Sequence, residues 1–182
     1  MSADAAEADG RRRIAVASPA EAAALEARVR AAADAAGRTL GALLAGTPAL
    51  EVFRALKFRA VGCDPLDAGR PHNLLQQVHQ TFAWLVAVRG VAHLLRSHPD
   101  HAPYFINAGT STQPDIESED GCAVAEVVAV VTPRNNGKLQ SDLARLRART
   151  APLRYLFYYA EEDRGTVSDP DIAVVAIDLT DS

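Results

Sequence analysis

Two acids, Asp115 and Glu126, are the residues best placed to do chemistry in this chain. They stand on what read as consecutive strands joined by Ser118-Glu119-Asp120-Gly121. Asp-Gly is the strongest short hairpin signal. If Asp120-Gly121 is a two-residue turn, Asp115 faces Glu126 across the hairpin. Directly opposed side chains have Cβ atoms about 4.5–5.5 Å apart. At an effective dielectric of about 20, two carboxylates so placed repel by roughly 3 kcal/mol. A divalent cation between them removes that repulsion. The pairing depends on register. A three-residue loop with Gly121 in a bulge sends the two side chains to opposite faces, and a four-residue loop returns them to one face.

Glu126 is also anomalous by itself. It interrupts Ala123-Val124-Ala125 and Val127-Val128-Ala129-Val130-Val131, an apolar run that suits a central strand buried on both faces. A buried carboxylate needs a cation, a hydrogen-bonding partner or a raised pKa. A buried ion pair with an arginine meets the same need without any metal. Asp115 lies in Pro114-Asp115-Ile116, with Glu117, Glu119 and Asp120 nearby as ordinary exposed acids.

The elements that must position these residues can be read from the rest of the chain. Residues 1–13 are small and charged and read as a disordered tail, and residues 14–62 as a helical extension. Ser18-Pro19-Ala20-Glu21 gives an N-cap, a proline at N1 and a glutamate at N3, with Gly37 as a stop. A second helical stretch, Thr39 to Phe58, breaks near Gly46-Thr47-Pro48, and residues 62–70 read as a loop. The long helix from Pro71 to Ser97 repeats Leu75, Val78, Phe82, Leu85 and Val86 at helical spacing, with Gln76, His79 and Gln80 on a neighbouring face. Tyr104–Ala108, Gln113–Ser118 and Cys122–Val131 read as strands. Gly109-Thr110-Ser111-Thr112 lacks the lysine context of a phosphate loop. Arg134, Asn135 and Asn136 fall in the turn that starts a helix over Lys138–Arg149, which packs Leu139, Leu143 and Leu146, and strands follow at Arg154–Ala160 and Asp171–Leu179.

Composition narrows the class. The chain has 182 residues, 48% of them hydrophobic, enough for one domain with a full core, here residues 63–182. A formal charge of −4 gives no global case for nucleic-acid binding, although Arg134, Lys138, Arg145, Arg147, Arg149 and Arg154 cluster with only Asp142 opposing. Cys63 and Cys122 form neither a metal spacing nor a disulfide framework, which reads as reduced thiols in the cytoplasm. His98, Asp100 and His101 match no specific metal spacing. The N-terminus does not read as a signal peptide, and no apolar run is long enough for a membrane span.

The order helix, strand, strand with Pro114-Asp115, strand with Ala125-Glu126-Val127-Val128, helix, strand resembles the core of the PD-(D/E)XK nuclease superfamily over roughly residues 72–160. The resemblance implies an α/β fold: a mixed central sheet flanked by helices, with an αβββαβ core. It implies that Asp115 and Glu126 hold Mg²⁺ or Mn²⁺, with the backbone carbonyl of Val127 as a further ligand. It implies metal-dependent phosphodiester hydrolysis, with DNA ahead of RNA as the partner and a homodimer as the assembly. The chain departs from the pattern at two points. Valine at 128 stands where the family has its lysine, so Lys138 on the following helix is the candidate replacement, with Gln140 behind it. The first helix offers Gln76 or Gln80 where relatives often have an acid. These departures set up the alternative, a nuclease-fold module without catalysis that serves as a binding or structural partner.

Overall fold

The computed structural model describes residues 12–108, 113–133, 137–162 and 165–180. Most of the expected tail, Gly109–Thr112 and Arg134–Asn136 lie outside the described residues. The chain is α/β. Its described elements are four α-helices, a six-stranded mixed sheet in the order β1-β4-β5-β6-β7-β8, and a separate two-stranded sheet β2-β3. In chain order these are β1 (Arg12–Val16), α1 (Pro19–Leu44), α2 (Ala49–Phe58), β2 (Gly62–Asp64), β3 (Asp67–His72), α3 (Leu74–Ser97), β4 (Tyr104–Ala108), β5 (Ile116–Ser118), β6 (Ala123–Val130), α4 (Gly137–Arg147), β7 (Leu153–Ala160) and β8 (Ala173–Ala176). By contacts the chain forms two compact units, one of residues up to Ala22 together with Val86–Ser182, the other Ala23–Leu85. No helix among the described residues is long and apolar enough to cross a membrane.

In the first unit, β1, β4, β5 and β6 are successively antiparallel, while β6, β7 and β8 run parallel. The parallel pair β6–β7 needs a crossover, and α4 supplies it. Leu139, Leu143 and Leu146 recur at helical spacing along α4 and pack with Val124, Val128, Leu156 and Tyr158 of β6 and β7, all buried. The C-terminal half of α3 buries Val86, Val91 and Leu94. It meets β7 at Gly90, where a Cβ would lie 2.7 Å from Cδ2 of Phe157. The sheet is therefore covered on both faces, and Glu126 sits inside it.

β1 is a strand where the sequence suggested tail and then helix. Its five residues pair with β4 from Arg12↔Ala108 to Val16↔Tyr104. The charge of Arg13 hid it, yet that side chain is used. It ion-pairs with Glu117 at 3.0 Å, and its guanidinium lies 3.6 Å from the ring centroid of Phe105. The expected capping at Ser18 is present, with Glu21 N donating to Ser18 Oγ at 3.2 Å.

In the second unit, α1 runs through Gly37 instead of stopping there. One exposed mid-helix glycine costs about 1 kcal/mol, too little to end a long helix. Residues 62–72 are a hairpin rather than a loop. Asp64 Oδ1 accepts a hydrogen bond from Leu66 N at 2.8 Å, so Asp-Pro builds the corner and its flanks can pair. Leu50, Phe53 and Phe58 of α2 and Leu75, Val78 and Phe82 of α3 are large apolar side chains left exposed.

Candidate functional site

The β5–β6 hairpin has the register Ile116↔Ala125 and Glu117↔Val124. Its connection is four residues, Glu119–Cys122, not the two-residue Asp120-Gly121 turn. Gly121 N donates to Ser118 O at 3.1 Å, and Gly121 takes φ 71°, which glycine adopts without a Cβ clash. Two- and four-residue loops share the same parity, so Asp115 still comes to the face of Glu126. Asp115 lies just ahead of β5, held by Asn107 of β4. Asn107 N donates to Asp115 O at 2.8 Å, and its side-chain amide donates to Pro114 O at 2.8 Å. Asp115 Oδ2 then accepts from Val127 N at 2.8 Å.

Glu126 is 1% exposed. Arg145 of α4 grips it with two bonds, Nε to Oε1 at 3.2 Å and Nη2 to Oε2 at 2.8 Å. Arg145 Nη2 also donates to Asp142 Oδ1 at 2.8 Å. Lys138 Nζ donates to Asp142 Oδ2 at 2.6 Å and to the Val127 carbonyl at 3.2 Å. The result is a cluster of three carboxylates and two side-chain cations around one strand position. Burial pushes the Glu126 carboxyl up to about 8, and the neighbouring charge of Asp115 adds to this, against the pull of Arg145. Burial also raises the Asp142 carboxyl, with Lys138 and Arg145 acting the other way.

Four of the five residues expected at the site, Asp115, Glu126, Val127 and Lys138, therefore come together. Gln76 belongs to the other compact unit. Its Oε1 accepts from Asn73 N at 3.1 Å while its own N–H donates to Asn73 Oδ1 at 3.0 Å, a reciprocal cap on α3. Gln140 lines a separate cavity of about 250 Å³ with Pro133, Leu143 and Val167. Val128 is 2% exposed in the apolar contact with α4, which explains why no lysine stands there. The basic cluster is largely used within the chain, with Lys138 and Arg145 on these acids and Arg147 paired with Asp169.

Asp142 and Arg145 belong to the site and were read from sequence only as part of a charged helix. Their signal was there, because Lys138, Asp142 and Arg145 are four and three residues apart and must share one helix face. Asn107 gave no such signal, since nothing local marks a strand asparagine as the support of another strand's acid. His98 does not join His101 on a metal; its Nε2 lies 2.6 Å from the hydroxyl of Tyr155, and His101 Nδ1 lies 2.6 Å from Asp120 Oδ2. Compared with protein-family models, with curated proteins and with solved structures, the chain matches none.

Proposed function

We propose that the Asp115–Glu126 cluster is a divalent-cation centre for phosphodiester hydrolysis, with DNA as the foremost substrate. The observation that carries this reading is that the Asp115 carboxylate, bonded to Val127 N, lies beside the Glu126 carboxylate, which is buried to 1% exposure. The order of α3, the antiparallel β4-β5-β6, α4 and the parallel β7 supports it, because the PD-(D/E)XK resemblance implies that order.

The donor set fits a hard cation. Asp115, Glu126 and the Val127 carbonyl offer oxygen alone, as Mg²⁺ requires. Burial first, and the charge of Asp115 second, keep the proton affinity of Glu126 raised even with Arg145 bound to it. With all groups ionised, Asp115, Glu126 and Asp142 outweigh Lys138 and Arg145 by one negative charge. A bound Mg²⁺ supplies Lewis-acid neutralisation of a phosphodiester. The chain's own residues do the rest. Lys138, whose side chain is 57% exposed, presents an ammonium beside the Val127 carbonyl. There it can donate to a phosphate oxygen, as the lysine missing at Val128 would. Asp142 orients that ammonium, and Arg145, 47% exposed, adds a second donor for developing charge.

The two-pronged hold of Arg145 on Glu126 favours a second reading, an inactive nuclease-fold module in which the arginine satisfies the buried acid. Incubation with single- and double-stranded DNA and with RNA, in Mg²⁺ or Mn²⁺, separates the two. Hydrolysis is expected to disappear in Glu126→Gln and to fall by about 10²–10³-fold in Lys138→Ala, the usual loss for one transition-state donor. Cutting that persists in Glu126→Gln overturns the assignment, and the absence of any cutting by the native chain leaves the inactive module.

A further inference from the structure

A second cluster lies at the tip of the same hairpin. His101 closes a short 3-10 turn, Pro99–His101, directly after α3. Asp120 and Cys122 belong to the β5–β6 connection. A ring nitrogen of His101, a carboxylate oxygen of Asp120 and the sulfur of Cys122 all lie within 4.8 Å of one another. From these donors we infer a zinc site, formed by His101, Asp120 and Cys122 and separate from the acid pair.

The donors are held in place before any ion arrives. Asp120 Oδ1 accepts from Ser118 Oγ at 2.6 Å and from Cys122 N at 2.9 Å, which leaves Oδ2 to face His101. Ser118 Oγ in turn accepts from Ala123 N at 2.9 Å. The turn is tied to the segment after His101 by Glu119 N donating to Pro103 O at 3.0 Å, and to the start of β7 by Leu153 N donating to Cys122 O at 3.0 Å. Such outer bonds orient ligands at metal sites. In tetrahedral zinc, bond lengths near 2.0–2.3 Å put the ligand atoms about 3.3–3.8 Å apart, so shifts on the order of 1 Å convert the cluster into a coordination shell.

Donor chemistry selects the ion. Imidazole and thiolate suit zinc and not magnesium, whereas the Asp115–Glu126 cluster offers oxygen alone. Binding forms Zn–N, Zn–O and Zn–S bonds, and the Cys122 thiol proton leaves to solvent. Three protein ligands leave the fourth position for water or a small ligand. The zinc assignment does not rest on the nuclease reading, because Cys122 lies four residues along β6 from Glu126, roughly 13 Å at strand rise.

Titration of the reduced, metal-free full chain with Co²⁺, a spectroscopic substitute for zinc, tests the site. One Co²⁺ per chain with a sulfur-to-metal charge-transfer band in the near ultraviolet is expected, displaced by Zn²⁺. The band should vanish in Cys122→Ser and persist in Cys63→Ser and Glu126→Gln. His101→Gln should weaken binding by at least about tenfold, the lower bound for losing even an outer-shell partner. No band in the native chain, a native band in Cys122→Ser, or loss of the band in Cys63→Ser overturns the assignment. If circular dichroism shows Cys122→Ser unfolded, His101→Gln decides, and unchanged affinity there refutes the site.

Discussion

Glu126 is where sequence, burial and charge meet most sharply. An acid in an apolar strand must be neutralised by a proton, an arginine or a metal. In this structure it has Arg145 and a raised proton affinity together. The sign of the pH effect follows. The folded chain holds the Glu126 proton up to about 8, whereas the unfolded chain releases it near the ordinary value of 4.5. This group's contribution to stability is therefore largest below that ordinary value, falls as pH rises through the interval, and levels off above about 8. Glu126→Gln removes the loss. Urea unfolding at pH 5, 6.5 and 8 should show the variant gaining on the native chain as pH rises, by on the order of a few kcal/mol. An equal difference at every pH would show that Glu126 ionises normally. From sequence, Asp115 could be paired with Glu126 only if the loop had an even number of residues; Arg145 could not be chosen among the helix arginines, because partner choice depends on how α4 lies on the sheet.

Among the elements, α4 and α3 do the positioning. α4 inserts Leu139, Leu143 and Leu146 against β6 and β7, and the same rotation turns Lys138, Asp142 and Arg145 toward Val127 and Glu126. Val128 belongs to this apolar seam, so the absence of a strand lysine follows from packing. α3 reaches the sheet through Gly90 above Phe157. Gly90→Ala places a methyl 2.7 Å from that ring, inside van der Waals contact. The variant should lose about 1–3 kcal/mol, as overpacked cores do, despite alanine's better helix propensity. A urea midpoint at or above that of the native chain would show that Phe157 yields without cost. The helical and strand periods made α3, β4, β6, α4 and β7 legible, with ends shifted by a few residues. β1 and the β2–β3 hairpin were not, because charged or Gly- and Pro-rich segments become strands only when a partner strand is offered.

At the level of the whole molecule, a cation that binds only the folded chain must raise its midpoint. Mg²⁺ competes with the proton on Glu126, so the gain at millimolar Mg²⁺ should be larger at pH 8 than at pH 6. For a chain of this size each kcal/mol of binding energy raises Tm by roughly 2–4 °C. Asp115→Asn should lose the gain. No shift in the native chain at either pH removes the metal from the acid site, and it does so without reference to any substrate. The same measurement with Zn²⁺ addresses the hairpin tip, whose donors include sulfur. Under the proposed function, the formal charge of −4 and the in-chain pairing of Lys138, Arg145 and Arg147 would make affinity for nucleic acid depend on that added positive charge.

The sequence by itself determined the α/β class, the order of the central elements and the acid in the buried strand. These follow from local periodicity and turn residues, properties of neighbours in the chain. Tertiary structure alone decided that the β5–β6 loop has the even length that brings Asp115 to Glu126, that Arg145 and Asp142 complete the acid cluster, that Lys138 reaches the Val127 carbonyl, and that His101 meets Asp120 and Cys122. Those contacts join residues whose separation carries no periodic signal, or select one partner from several equivalents on a helix face. Only the packing of helix on sheet and turn on turn makes that selection.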